Sequence, residues 1–303
     1  MTGITHLTDR DRQLWGHQPL RASHRLHDHP LFQRAALCRL IETYPRDHYG
    51  LIAMGGTGED RAWREGDLGG VSGETALDAI ARGKLWLNLR NVSGVDARHG
   101  ALLNEIMADL AAQLPGFDAC KWQSGILISS PSAQVYYHAD LPHQLLYQIA
   151  GKKRLHIYPA TPPFITARQL EDIALFDVEV DIPYHDWYDG HARVLDLTPG
   201  HMLGWPLNAP HRVENVEGVN ISLTISCTTP ASRRGEMVHF ANGLLRHRFG
   251  WTPRSTRLEG AGFYAKAVLQ KLMRRTGWVK QQRARRRVIA FTLADDHLHQ
   301  AAE

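Results

Sequence analysis

Ala133-Gln134-Val135-Tyr136-Tyr137-His138-Ala139-Asp140 decides how the rest of the chain reads. It is a short run of aromatic and β-branched residues, the composition of a strand. It ends on a histidine with a carboxylate two positions later. Side chains i and i+2 of a strand share a face, so this spacing aims an imidazole and a carboxylate at one point. The chain has 18 histidines, and His138 alone is followed two residues on by Asp or Glu.

The surrounding texture agrees with a β core. From Cys120 to Cys227, short β-rich runs (WQSGILISS, QLLYQIA, RLHIYP, ARVLDLT, MLGWP, NISLTISC) alternate with Pro and Gly punctuation, as in a barrel or sandwich. A third ligand must come from a strand distant in sequence. In Pro199-Gly200-His201-Met202-Leu203-Gly204-Trp205-Pro206-Leu207-Asn208-Ala209-Pro210-His211, a turn, a short strand and a second turn place His211 at the start of another strand, facing inwards. Two histidines and one carboxylate leave three positions of an octahedral ion open, the arrangement expected for non-heme iron(II) chemistry. The same donors also suit zinc. His138 and Asp140 are equally compatible with an ordinary hydrogen-bonded pair, and His211 with a turn cap.

Helical periodicity marks the flanks. Pro30 to Tyr44 and Asp96 to Leu114 carry apolar residues at helical spacing, with strands expected at Gly50 to Met54 and Lys84 to Val92 between them. After Thr229, helices are expected over Met237 to Phe249, Tyr264 to Met273 and around Val279 to Phe291. Ala160 to Gly190 reads as a long loop, the kind that forms a lid. Its acids, Glu171, Asp172, Asp177, Glu179, Asp181, Asp186 and Asp189, would favour a basic peptide if they are free, and are otherwise solvated charges.

The fold expected is mainly β with helical flanks: residues 1–119 as an N-terminal α/β cover, 120–229 as a double-stranded β-helix (jelly-roll or cupin) core, and 230–303 as a basic helical region. The net charge of +4 conceals an asymmetry, because nine basic and no acidic residues lie between Ala261 and Phe291: Lys266, Lys271, Arg274, Arg275, Lys280, Arg283, Arg285, Arg286 and Arg287. Such a cluster can grip nucleic acid, or be the solvated face of an amphipathic helix. Three scattered cysteines (Cys38, Cys120, Cys227) are too few for a disulfide framework or a thiolate zinc site. The first residues show neither a basic start before an apolar run nor a long uncharged stretch, so a cytoplasmic chain without signal peptide or membrane span is expected.

Around the His-Ala-Asp triplet, Gly125-Ile126-Leu127-Ile128-Ser129-Ser130, Tyr137-His138-Ala139-Asp140, Gln144, Gln148-Ile149-Ala150-Gly151-Lys152-Lys153-Arg154 and Ile157-Tyr158-Pro159 resemble the cupin-like branch of the JmjC hydroxylases, which includes the asparaginyl hydroxylase that inhibits hypoxia-inducible factor. The likeness continues through Pro199-Gly200, His211 and Asn220 to Cys227. It implies an iron(II)- and 2-oxoglutarate-dependent dioxygenase whose metal is held by His138, Asp140 and His211. Lys153 matches the lysine that pairs with the distal carboxylate of 2-oxoglutarate. Alternation in Lys153-Arg154-Leu155-His156-Ile157 agrees, since an inward lysine in an apolar barrel requires an anion. Gln144 and Ser226 match positions near the chelating end of the cosubstrate. Tyr136, in register with His138, is placed to donate its hydroxyl to the distal carboxylate. Two departures stand out: His201 replaces a common Asp, and Val135 falls where a Thr contact belongs.

The resemblance implies oxidative decarboxylation of 2-oxoglutarate to succinate and carbon dioxide, coupled to hydroxylation of a substrate C–H. The expected partner is a protein or peptide side chain, with a small molecule as the alternative and a homodimer through the C-terminal helices. Two rival functions remain: a cupin-type metalloprotein without 2-oxoglutarate, and a nucleic-acid-binding regulator using the basic C-terminal helices.

Overall fold

The computed structural model describes residues 3–55, 62–176, 182–277 and 288–293. In chain order the elements are β1 (Thr5–His6), α1 (Asp9–Leu14), β2 (Leu20–His24), α2 (Arg34–Glu42), β3 (Tyr49–Met54), β4 (Trp63–Asp67), α3 (Gly73–Arg82), β5 (Leu85–Leu89), α4 (Val92–Val95), α5 (Ala97–Gln113), β6 (Lys121–Ser129), β7 (Gln134–His138), β8 (His143–Ile157), α6 (Ala167–Phe176), β9 (Arg193–Leu197), β10 (His201–Gly204), β11 (His211–Thr228), α7 (Pro230–Phe249), α8 (Ala261–Arg275) and β12 (Ile289–Thr292).

Two long strands organise the rest. The first half of β8 pairs with β10, its second half with β9, and β11 runs antiparallel along both. The start of β11 also pairs with β7, and its end with β6. The two strands thus hand the chain from a large layer, ordered β1-β2-β10-β8-β11-β6-β5-β3-β4-β12, to a small one containing β7 and β9. This is the jelly-roll plan expected of a double-stranded β-helix. The hinge in β8 is Gly151, with φ +70° and space so tight that a Cβ would lie 2.6 Å from the Val219 carbonyl oxygen. Only glycine fits there.

The N-terminal segment extends this sheet at both ends, with β2 beside β10 and β5 beside β6. Leu85, Leu87 and Leu89 of β5 are buried, as their alternation predicts, and Trp86 and Asn88 are half-buried on the other face. Asp96 caps α5 by accepting from the Arg98 and His99 amides, and Leu102, Leu103, Ile106, Met107 and Leu110 form its buried stripe.

Several expectations are corrected. QLLYQIA and RLHIYP are one strand bent at Gly151 rather than two. Ala160 to Gly190 is not a bare loop, since its apolar residues at helical spacing build α6, which packs Ala174 and Leu175 against Phe240 and Leu244 of α7. Glu171 is buried and paired with Arg246 at 2.9 Å, and Asp172 meets His247 at 2.6 Å. Asp189 is bound to Arg212 at 2.7 Å. These carboxylates are therefore not an acidic lid, and of the other four only Asp186 lies within the described residues, where it is exposed. Of Val279 to Phe291, Ile289 onward forms β12, parallel to β4, rather than a helix, because Phe291 packs its ring over Gly66. The part of that stretch up to Arg287 lies outside the described residues.

Buried His24 joins β2 to β8. Its Nδ1 accepts from the Leu26 amide at 2.9 Å and its Nε2 faces the Gln148 carbonyl at 3.1 Å, so the neutral ring satisfies both. Burial lowers its pKa from 6.5 to about 4. The unfolded chain binds the extra proton first, so this stabilisation is complete above pH 6.5 and is lost as pH falls toward 4. Thermal unfolding of wild type and His24→Gln from pH 7 to 4 should show roughly 3 kcal/mol less acid sensitivity in the variant. Parallel curves would remove His24 as the cause.

Candidate metal centre

The ladder pair His211↔His138 between β11 and β7 brings the two histidines together, with ring centroids 4.1 Å apart. Asp140, two residues past the end of β7, lies with Oδ2 3.5 Å from His211 Nε2. Among the described residues, these three form the one group of three potential ligands, their donor atoms within 4.8 Å of one another.

Backbone carbonyls behind the two histidines set which ring nitrogen faces the triad. His138 Nδ1 bonds the Tyr136 carbonyl at 2.8 Å and His211 Nδ1 bonds the Ala209 carbonyl at 3.1 Å. Each Nδ1 must carry the proton, leaving Nε2 as an unprotonated donor, which is how metal-bound histidines are oriented. Ligand atoms at about 2.1 Å from one ion sit about 3 Å apart when adjacent, close to the observed Asp140–His211 spacing. Burial pushes the Asp140 carboxyl up, partly offset by His138, and pushes His211 well below its ordinary value. A cation between them favours the ionised carboxylate and the neutral imidazole together. The donor set therefore fits a divalent ion, iron(II) or zinc.

A cavity of about 260 Å³ surrounds the triad, lined on its dry side by Val135, Leu146, Leu155 and Val213 and roofed by Trp205, whose ring is 4.7 Å from that of His211. Gln144 and Ser226 line it as a cross-strand pair, Ser226 Oγ donating to Gln144 Oε1 at 3.1 Å. Lys153 is buried at the next inward position from Leu155 along β8. It has no hydrogen bond or ion pair among the described residues, and burial lowers its pKa from 10.5 to about 7.

Tyr136 is turned out of this cavity. Its hydroxyl donates to the Ala62 carbonyl at 3.1 Å and its ring packs on Trp63. The ladder explains why. Val135 pairs with Val213 and His138 with His211, three residues on β7 against two on β11, so a bulge breaks the two-residue period. Val135 and His138 consequently face inwards, and Tyr136 does not. His201 proves a local cap: its Nδ1 accepts from the Thr198 amide at 3.2 Å, a task a carboxylate also performs.

The neighbour of His211 is anchored from behind. Arg212 bonds the Tyr158 hydroxyl at 2.9 Å and Asp189 at 2.7 Å, and Tyr158 donates to Asp189 at 2.5 Å. Burial alone would raise the Asp189 carboxyl, yet these bonds bring it down to about 2. The sequence alone does not single out Trp205 or Asn208. Asn208, between Pro206 and Pro210, signals a turn but carries no mark of its contact with the ligand segment.

Solved structures of YcfD, a ribosomal oxygenase of Escherichia coli, share this fold. One matches with TM-score 0.52 at 14% identity, over 99% of this chain and 71% of that one. A second gives 0.53 at 16%, over 90% and 69%. A third, in complex with cobalt and 2-oxoglutarate, gives 0.51 at 16%, over 89% and 67%. No family model and no curated protein matches the sequence. The likeness is one of fold, agrees with the cupin-like plan expected from the sequence, and does not single out the asparaginyl-hydroxylase branch.

The unpaired Lys153 ammonium opposes folding. Its folded pKa lies below the unfolded one, so stability rises with pH between about 7 and 10.5 and the penalty is fully present below that window. Lys153→Met should stabilise the ligand-free protein at neutral pH by roughly 4 kcal/mol, read as a higher Tm. A lower Tm would show that the ammonium has an internal partner.

Proposed function

We propose that this chain is an iron(II)- and 2-oxoglutarate-dependent oxygenase that hydroxylates a side chain of a protein or peptide. The observation that carries this reading is the pairing, in one barrel, of an open His-Asp-His triad with a buried lysine that has no anionic partner among the described residues. An apolar interior tolerates such a cation only as half of an intended pair, and a dicarboxylate chelated at the triad brings the missing charge. The cobalt and 2-oxoglutarate complex of YcfD, which has this fold, lends further support.

His138, Asp140 and His211 would hold the ion on one side, leaving the opposite side to the cosubstrate. When bound there, iron(II) and 2-oxoglutarate would supply activation of dioxygen, one oxygen atom ending in succinate as carbon dioxide is lost and the other in the hydroxyl group placed on the substrate C–H. Lys153 neutralises the distal carboxylate. Gln144, held by Ser226, offers its amide to the chelating end. Leu146, Leu155 and Val213 keep water from the cosubstrate side, where it would compete with the ion pair. Residues 120–229 serve as the catalytic core, with 1–119 and 230–303 as flanks.

Substrate access supports a macromolecular partner. A polar groove of about 520 Å³ shares Gln123, Asp140, Gln144 and Ser226 with the metal cavity and is walled by Trp122, Glu236 and Arg274. It is open enough to admit a side chain from a larger molecule. The free cysteines, two buried and one exposed, suit a reducing cytoplasm, and no helix among the described residues is long and apolar enough to cross a membrane. On α8, Tyr264, Val268 and Leu272 form an exposed apolar stripe, 62%, 58% and 55% accessible, which suits a second copy better than nucleic acid. Arg274 of the basic cluster is engaged with Glu236 at 2.6 Å. Lys280, Arg283, Arg285, Arg286 and Arg287 lie outside the described residues.

Anaerobic titration of the iron(II)-loaded protein with 2-oxoglutarate should produce a weak visible charge-transfer band. The band should vanish in His138→Ala and require at least tenfold more 2-oxoglutarate in Lys153→Met. No band from folded, iron-loaded wild type would reject the oxygenase reading, full affinity in Lys153→Met would remove Lys153 as the partner of the distal carboxylate, and activity that survives charge reversal at Lys153 would favour a cupin-type metalloprotein that needs no 2-oxoglutarate. Sedimentation of Val268→Glu checks the dimer: a wild-type dimer that becomes monomeric supports it, and a monomeric wild type removes it.

A further inference from the structure

Asp140 differs from the other two ligands in what holds it. His138 and His211 are a ladder pair, but β7 ends at His138, and Asp140 lies in the segment between β7 and β8, past the last rung. An aspartate outside a ladder would sample several positions, and each would have to be reordered when a metal binds. The compensating contact comes from the loop that leads into His211. Asn208 donates from Nδ2 to the Asp140 carbonyl at 2.9 Å, with a longer contact to the Leu141 carbonyl at 3.4 Å. The Asn208 backbone has φ +61°, a left-handed conformation in which asparagine is among the few tolerated non-glycine residues. Ala209, buried beside it, gives its carbonyl to His211 Nδ1 at 3.1 Å. One tight turn therefore orients the His211 ring through Ala209 and tethers the Asp140 backbone through Asn208.

We propose that Asn208 is a positioning residue for the metal centre: it fixes the Asp140 segment against the His211 turn before metal arrives, so that three donors are preorganised rather than two. The inference rests on the metal reading given above. It does not depend on which cosubstrate or substrate is used. The amide is the chemically specific part, because it presents a donor to two backbone carbonyl oxygens. Glycine keeps the left-handed turn and deletes the donor. Aspartate keeps the shape but turns an acceptor toward acceptors, so it should be the worse of the two.

The test uses cobalt(II) alone as probe, with wild type, Asn208→Gly and Asn208→Asp. Affinity is read by competition with a chelator and geometry by the visible d–d spectrum, and Tm is measured separately in excess chelator. Asn208→Gly should bind cobalt(II) about tenfold more weakly, as for lost outer-shell partners of metal ligands, with an altered d–d band. Its metal-free Tm should stay within about 2 °C of wild type, since glycine adopts this φ without strain. Asn208→Asp should bind more weakly still. Variants within twofold of wild type and with unchanged spectra would overturn the inference while leaving the metal reading intact. So would a metal-free Tm loss large enough to explain the weaker binding as unfolding. Wild type that binds no cobalt(II) would overturn the metal reading, and this inference with it.

Discussion

The antiparallel ladder between β8 and β11 is the constraint on which the site depends. Gln144 and Lys153 lie on β8, His211 and Ser226 on β11, and the register pairs Gln144 with Ser226 and Lys153 with Asn215. A slip of one residue would turn every one of these side chains to the opposite face. The ladder cannot be flat, because Lys153 and Gln144 serve different layers, and the bend at Gly151 reconciles one continuous strand with two layers. Bulges on β11 between Asn215 and Ile221 take up the matching irregularity on the partner strand. The chemistry is thus spaced by backbone hydrogen bonds, which no single side chain can provide.

Against that scaffold the interior is electrostatically frustrated. Lys153 is driven toward neutrality, Asp140 toward protonation and His211 away from it, each by burial. A core selected for stability alone would replace these groups with apolar ones of similar size. A cation at the triad and an anion at the lysine would relieve these costs. Their opposite signs would make the two sites cooperative, because a chelating anion that reached Lys153 would also neutralise the ion it was bound to.

Much of this was legible in the sequence where the period of two is kept. The inward parity of Lys153 and the place of His211 at a strand start follow from alternation and turn residues, and the His138-Ala139-Asp140 triplet does name two of the three grouped donors although Asp140 lies past the end of β7. The reading failed where local irregularity breaks the period. Alternation with His138 points Tyr136 inwards, and the bulge between Val135 and His138 turns it out; no residue in Gln134-Val135-Tyr136-Tyr137 announces a bulge. The two runs on either side of Gly151 looked like two strands because glycine usually ends one. Asn208 was readable as a turn residue, but its bond to Asp140 joins segments far apart in sequence, which a single chain without its fold cannot reveal.

The acids between Ala160 and Gly190 show how charge counting misleads when partners are unknown. Glu171 is held by Arg246, Asp172 by His247 and Asp189 by Arg212 and Tyr158, so these carboxylates fasten α6 and the turn before β9 to the rest of the molecule. Their charge is already balanced at short range, and a balanced pair exerts little field on a substrate beyond the Debye length of about 8 Å in physiological salt. The groups that face the open side of the triad are closer to any bound substrate than these paired acids are. In the groove beside Asp140, Gln123, Gln144 and Ser226 are uncharged and able to meet both donors and acceptors, Glu236 and Arg274 are paired with each other, and Lys121 also lines it. Beside the proposed metal, an amide-and-hydroxyl floor would suit a polar group recognised by shape and hydrogen bonding more than one drawn in by the carboxylates of the Ala160 to Gly190 segment.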